Sequence, residues 1–163
     1  VDLTDAVAAA ARDLRSELEN FRIALDVPPS LPLVEADPRM LHHILVNLLD
    51  NAAKYAPPGT AITVEAKRLP SGMTLSIMDE GAGLPIGYET ALFEKFLRIE
   101  GGDSSGGTGL GLAIVKGFTE AMGLSVPAAN RTERAGSCFP LIWPEVRIRR
   151  TAKQASESWV PRS

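Results

Sequence analysis

Apolar residues recur at helical spacing from the start of the chain. Leu3, Val7, Ala10, Ala11, Leu14 and Leu18 share one face, which predicts a helix capped by Asp2 or Thr4 and running to about Glu19. The period then shortens to two. Phe21, Ile23, Leu25 and Val27 alternate with Arg22, Ala24 and Asp26, the pattern of a half-buried strand, until Pro28, Pro29 and Pro32 break it. Leu33 to Glu35 is expected to form a short second strand. Asp37-Pro38 reads as an N-cap with proline in the first helical position, and the helix it opens should end near Ala56, ahead of Pro57-Pro58-Gly59. Ala61 to Leu69 and Met73 to Asp79 predict a hairpin around Pro70-Ser71-Gly72. Glycine-rich loops at 81–87 and 101–109 flank a short helical patch at Leu92 to Phe96, and Leu110 to Met122 reads as a third long helix. Leu124 to Asn130 and Ser137 to Trp143 predict a closing hairpin. Pro127 and Pro140 fall inside it, and each removes a ladder donor, so its pairing should be irregular. Strands interleaved with three helices point to an α+β sandwich, one sheet covered on one face.

Composition narrows the function classes without choosing one. The chain has 163 residues, enough for one domain with a sizeable core, and a net charge of −3, too mild to make nucleic acid its main partner. Cys138 is the single cysteine, so no intrachain disulfide framework exists, and a small buried hydrophobe in a reducing compartment is expected there. No apolar run approaches the roughly 20 residues of a membrane span, and no signal peptide is visible. The domain is assigned to residues 1–144. After Pro144 the chain turns polar and basic (Arg147, Arg149, Arg150, Lys153), and 145–163 is expected to be a flexible tail.

The second helix carries an unusual polar side. Leu41, Ile44, Leu45, Leu48, Leu49, Ala52 and Tyr55 share its apolar face, while His43, Asn47, Asp50, Asn51 and Lys54 gather opposite. A solvated face would explain most such stripes. Two asparagines one turn apart fit that explanation poorly, because asparagine has modest helix propensity and no surface advantage over Glu or Lys. Their amide oxygens suit Mg²⁺, which takes few protein ligands and completes its shell with phosphates and water. Lys54, one turn on, is placed to meet phosphate oxygens.

Two loops supply the rest. Asp79-Glu80-Gly81-Ala82-Gly83-Leu84-Pro85 puts a carboxylate at a strand end, followed by glycines that let backbone approach a ligand. An exocyclic amine such as that of adenine is a fitting donor for Asp79. Gly106-Gly107-Thr108-Gly109-Leu110-Gly111-Leu112 runs into a helix, where backbone N–H groups can cradle polyphosphate. It is not a P-loop, since no Gly-Lys-Ser/Thr follows, and no parallel βαβ unit surrounds it. Either loop alone is a weak signal.

In this order the three elements resemble the histidine-kinase branch of the GHKL ATP-binding superfamily, over nearly all of residues 1–144. His43 to Tyr55 is similar to the N box, Asp79 to Gly83 to the G1 box, Leu92-Phe93-Glu94-Lys95-Phe96 to the F box, and Gly107 to Leu112 to the G2 box. Gly83-Leu84-Pro85-Ile86-Gly87, Phe93 to Arg98 and Ala128-Ala129-Asn130-Arg131 most resemble Kdp-type potassium and osmolarity sensor kinases. The resemblance implies a Bergerat-type sandwich, a mixed sheet with three helices on one face, and ATP with Mg²⁺ as cofactors. It implies Asn47 and Asn51 as metal ligands, Lys54 on the phosphates and Tyr55 by the nucleoside. It further implies Asp79 on adenine, with Gly81, Gly83 and Leu84 beside it. Gly107, Thr108, Gly109, Leu110, Gly111 and Leu112 would form the phosphate loop, and Phe93 and Phe96 would anchor a lid spanning about Ile86 to Ser105. Family members usually carry two glycines where Gly123-Leu124 stands.

The resemblance also implies what is missing. Histidine kinases phosphorylate a histidine followed by an acidic residue and then proline, on a dimeric helical hairpin. The only histidines here, His42 and His43, precede Ile44 and Leu45. The expectation is therefore a fragment that starts after the hairpin, with that hairpin and a receiver domain as partners, from a cytoplasmic portion of an inner-membrane sensor. The alternative is an anti-sigma-factor serine kinase, whose general base is a Glu four residues before the first N-box Asn. That position is His43, and a neutral imidazole is also able to take a proton.

Overall fold

A computed structural model describes residues 1–28, 30–81, 111–127, 129–130 and 136–149. Helix α1 (Leu3–Asp13) is capped by Asp2, whose carboxylate accepts from the Asp5 N–H at 3.1 Å. The single helix expected to Glu19 is interrupted: Leu14 leaves helical geometry (φ −106°, ψ 24°), and a short α2 (Arg15–Leu18) follows. Leu3, Val7, Ala10, Leu14 and Leu18 are buried on both sides of the interruption, whereas Ala11 is only half-buried. Helix α3 (Pro38–Tyr55) starts as expected. Asp37 Oδ1 accepts from the N–H groups of Arg39 at 2.9 Å and Met40 at 3.1 Å, two donors of the first turn that have no carbonyl partner within the helix, while Pro38 brings no N–H to satisfy. Six of the seven residues expected on its apolar face, Leu41 to Ala52, are buried; Tyr55, in the last turn, is exposed instead.

The sheet is mixed and five-stranded, in the order β1 (Arg22–Asp26), β3 (Ala61–Leu69), β4 (Gly72–Met78), β6 (Ser137–Pro144), β5 (Ala129–Asn130). β1 runs parallel to β3, joined by a crossover that carries α3, and the remaining pairs are antiparallel. Register aligns one apolar face: Val64 lies opposite Ile77 and Ile77 opposite Phe139, while Met73 lies opposite Trp143. These residues meet α1, α3 and α4 (Gly111–Ala121) in a single core, and the opposite face carries Thr63, Glu65, Thr74 and Ser76. The indole N–H of fully buried Trp143 donates to the Glu35 carbonyl at 3.3 Å, so the largest core side chain leaves no polar group unsatisfied.

The turn between β3 and β4 admits only glycine at position 72. A Cβ there would lie 2.0 Å from the Trp143 carbonyl oxygen, a backbone atom that cannot step aside. Arg68 closes the same corner, donating to Glu145 at 2.7 and 2.8 Å and to the Gly72 carbonyl at 2.9 Å. The hydrogen bond to Glu145 raises the guanidinium pKa further. Arg68→Ala should cost about 1 kcal/mol, the usual scale of an exposed but bidentate pair, read as a lowered urea midpoint at constant slope.

Two expectations about the C-terminal part are revised or sharpened. Continuing the register that pairs Ser125 with Ile142 and Ala129 with Cys138 sets Pro127 opposite Pro140. Ile142 exchanges both backbone bonds with Ser125, so Pro140, two residues away, turns the same edge toward Pro127. Each proline thus sits where the other's missing N–H would have been needed, and the closing hairpin is reduced to β5 and one isolated bridge. The chain also remains built past the boundary expected at 144. A 3-10 turn (Glu145–Arg147) leads into β7 (Ile148–Arg149), antiparallel to β2 (Leu33–Val34), with the Glu35 N–H donating to the Arg147 carbonyl at 2.6 Å. Described secondary structure thus continues through Arg149, and residues 150–163 of the expected tail lie outside the described residues. Among the described residues no helix is long and apolar enough to cross a membrane.

Candidate functional site

The end of β4 and the last turn of α3 meet. Asp79 is only 3% exposed, and three donors converge on its carboxylate. Oδ1 accepts from the Gly81 N–H at 2.9 Å and the Ser137 N–H at 3.2 Å, and Oδ2 accepts the Ser137 hydroxyl at 2.6 Å. A buried carboxylate fixed by this many charge-assisted bonds is oriented before any ligand arrives. Gly81 packs on α3: a Cβ there would fall 2.7 Å from the Tyr55 carbonyl oxygen. The sequence suggests glycine at this position for close approach to a ligand; the structure shows close approach to a helix end. Neighbouring Glu80 accepts from the Ala61 N–H at 2.8 Å and fastens the same corner to β3.

Ser137 is the site residue that sequence reading misses. Its one signal is register: Met78 pairs with Cys138, which brings Ser137 beside Asp79, the next residue along. Ser137→Ala should lower stability by about 1.5–3 kcal/mol, the scale of a hydrogen bond to a charged group, measured by denaturant unfolding.

On α3, Asn47 Nδ2 donates to the His43 carbonyl at 2.8 Å, which commits the amide nitrogen to the helix and presents the oxygen. Asn51 is half-buried one turn on, and Lys54 pairs with Asp50 at 2.7 Å. The two amide oxygens fit Mg²⁺, a hard cation that takes oxygen ligands. Among the described residues no three His, Cys, Asp or Glu gather as a ready-made metal cage. His43 is exposed, its ring 5.9 Å from that of Phe118 on α4, and His42 pairs with Asp13 at 2.6 Å. Helix α4 begins at Gly111, directly after the second glycine loop, with Leu112 half-buried against the core. Gly83, Leu84, Phe93, Phe96, Gly107, Thr108, Gly109, Leu110 and the lid expected at 86–105 lie outside the described residues.

Residues 36–147 match the family described as histidine kinase-, DNA gyrase B- and HSP90-like ATPase. The chain is 35% identical over 143 residues to the sensor protein KdpD of Escherichia coli, covering 88% of this chain and 16% of that protein. It thus spans about a sixth of that relative's length. Among solved structures, the mycobacterial sensor histidine kinase MprB superposes with a TM-score of 0.79 at 29% identity, covering 93% of this chain and 97% of that one. Full-length ShkA, solved in complex with AMPPNP, superposes with a TM-score of 0.76 at 28% identity over 93% of this chain and 31% of that one.

Proposed function

From the premise that this chain belongs to the histidine kinase-, DNA gyrase B- and HSP90-like ATPase family, we propose that it binds Mg-ATP and presents the γ-phosphoryl group to a histidine on a separate hairpin of a two-component sensor kinase. The observation that carries this reading is the fixed, buried Asp79 carboxylate packed through Gly81 on the last turn of the helix that bears Asn47 and Asn51. Asp79 accepts the adenine amine, and Asn47 and Asn51 lend amide oxygens to the metal. Lys54 exchanges Asp50 for a phosphate oxygen, and Tyr55 flanks the nucleoside. The N–H groups at the start of α4 receive phosphate. When bound, Mg²⁺ neutralises charge on the transferred group, and what remains for the protein is positioning.

The Kdp-type reading is supported by the 35% identity to a Kdp sensor over 143 residues and by the Gly83 to Gly87 and Ala128 to Arg131 segments. In that reading the phosphoacceptor is a parent hairpin and a receiver domain acts downstream. Titration calorimetry with a non-hydrolysable ATP analogue tests the binding step. The expected result is Mg-dependent heat at one site; no heat at about millimolar nucleotide, with the chain folded, removes the proposal.

A further inference from the structure

β1 is an edge strand of the five-stranded sheet. The Arg22 N–H donates to the Thr60 carbonyl at 3.1 Å, which fixes the parity of the strand. Arg22, Ala24 and Asp26 turn their backbone groups toward β3, so Ile23 and Leu25 turn theirs to the open edge. Among the described residues no loop or turn hydrogen bond takes those groups up. Leu25 lies on the core-side face, in register with fully buried Val64, yet is 57% exposed. Bare strand edges with an apolar face invite pairing.

The sequence of the strand says what pairs with it. Arg22-Ile23-Ala24-Leu25-Asp26 reads basic, apolar, small, apolar, acidic. We propose that β1 pairs antiparallel with β1 of a second copy about a two-fold axis at Ala24, extending the sheet across the interface. Ile23 then faces Leu25 of the second copy across a hydrogen-bonded rung on each side of the axis, and the parity found above is the one those rungs need. The two Ala24 residues form the central non-hydrogen-bonded pair, where small side chains allow close approach. Exposed Arg22 faces Asp26 of the second copy, twice, on the solvent face. Leu25 gains an apolar neighbour on the core-side face. A two-fold pairing closes on itself, so it yields a dimer and not a filament. A single strand edge belongs to the weak, transient class of interfaces, below about 1,200 Å².

Sedimentation equilibrium of the full chain tests this without nucleotide, so it stands apart from the proposed activity. Native chain should show reversible monomer–dimer exchange. Arg22→Asp sets like charges opposite each other on both sides of the axis and should weaken the dimer about tenfold or more. Adding Asp26→Arg restores opposite charges and should recover the native constant within about threefold. In parallel, Ala24→Cys should form an intermolecular disulfide, mapped by peptide mass to the introduced thiols, faster than Val146→Cys, a control on an exposed turn away from β1. A native chain that stays monomeric to about 1 mM overturns the proposal. So does a double variant that associates no better than Arg22→Asp, or a thiol at position 24 that couples no faster than one at 146.

Discussion

Asp79→Asn should fold like the native chain and bind ADP roughly 10- to 150-fold more weakly, the equivalent of about 1.5–3 kcal/mol for one charge-assisted hydrogen bond. The separation of folding from binding follows from where the donors sit. Oδ1 holds two backbone N–H groups, those of Gly81 and Ser137, and Oδ2 takes the Ser137 hydroxyl. An asparagine oxygen can replace Oδ1, with its nitrogen toward Ser137. The hydroxyl, unlike an N–H, is able to turn around and accept. What the amide cannot do is offer an acceptor at the former Oδ2 to an incoming amine.

Asp79→Ala behaves differently. It removes the acceptor from all three donors in a site that is 3% exposed, and should cost about 3–5 kcal/mol of stability, a large share of a typical domain's total. Thermal unfolding and ADP titration on the same two variants decide between roles. Native-like ADP affinity in Asp79→Asn would show that the carboxylate is purely a structural post for Ser137 and Gly81.

Much of this was legible from the residues, and the exceptions have physical reasons. Periodicity located α3 and the β3–β4 hairpin nearly to the residue, because both are long, strongly patterned and bounded by proline or glycine. It misplaced Tyr55, which is exposed although the Ala56 that follows it is buried, because burial at a helix end follows the neighbours more than the spacing. The alternation from Phe21 to Val27 suggested a half-buried strand. Position at the sheet edge, which no local pattern encodes, left Leu25 exposed. Polarity after Pro144 suggests a tail, but a two-residue strand needs backbone bonds more than an apolar signature, and β7 finds them on β2. Asn47, Asn51 and Asp79 were recognisable by residue type and order. Ser137 was not: it lies 58 positions from Asp79, and only the β4–β6 register brings it there.

Asn51→Ala should lower the proposed phosphoryl transfer to a histidine-bearing hairpin by on the order of 10²-fold or more, the scale lost when one preorganised electrostatic group is removed from a reacting site. Binding of ADP without Mg²⁺ should change by less than about threefold, because the proposed site assigns adenine to Asp79 and not to Asn51. The half-buried position of Asn51 on the polar side of α3, one turn after Asn47, motivates this split between metal and base. The measurement is labelling from radioactive ATP with the hairpin supplied, followed by acid and base treatment, since a phosphohistidine survives base and not acid. Chain supplied without the hairpin should remain unlabelled: His42 and His43 precede Ile44 and Leu45, where the resemblance puts an acidic residue after the acceptor. Equal loss of ADP binding and transfer in Asn51→Ala would mean that the asparagine holds the site's shape and not its metal. Efficient labelling of the isolated chain at either histidine, or of a serine on an added partner, would overturn the histidine-kinase reading itself.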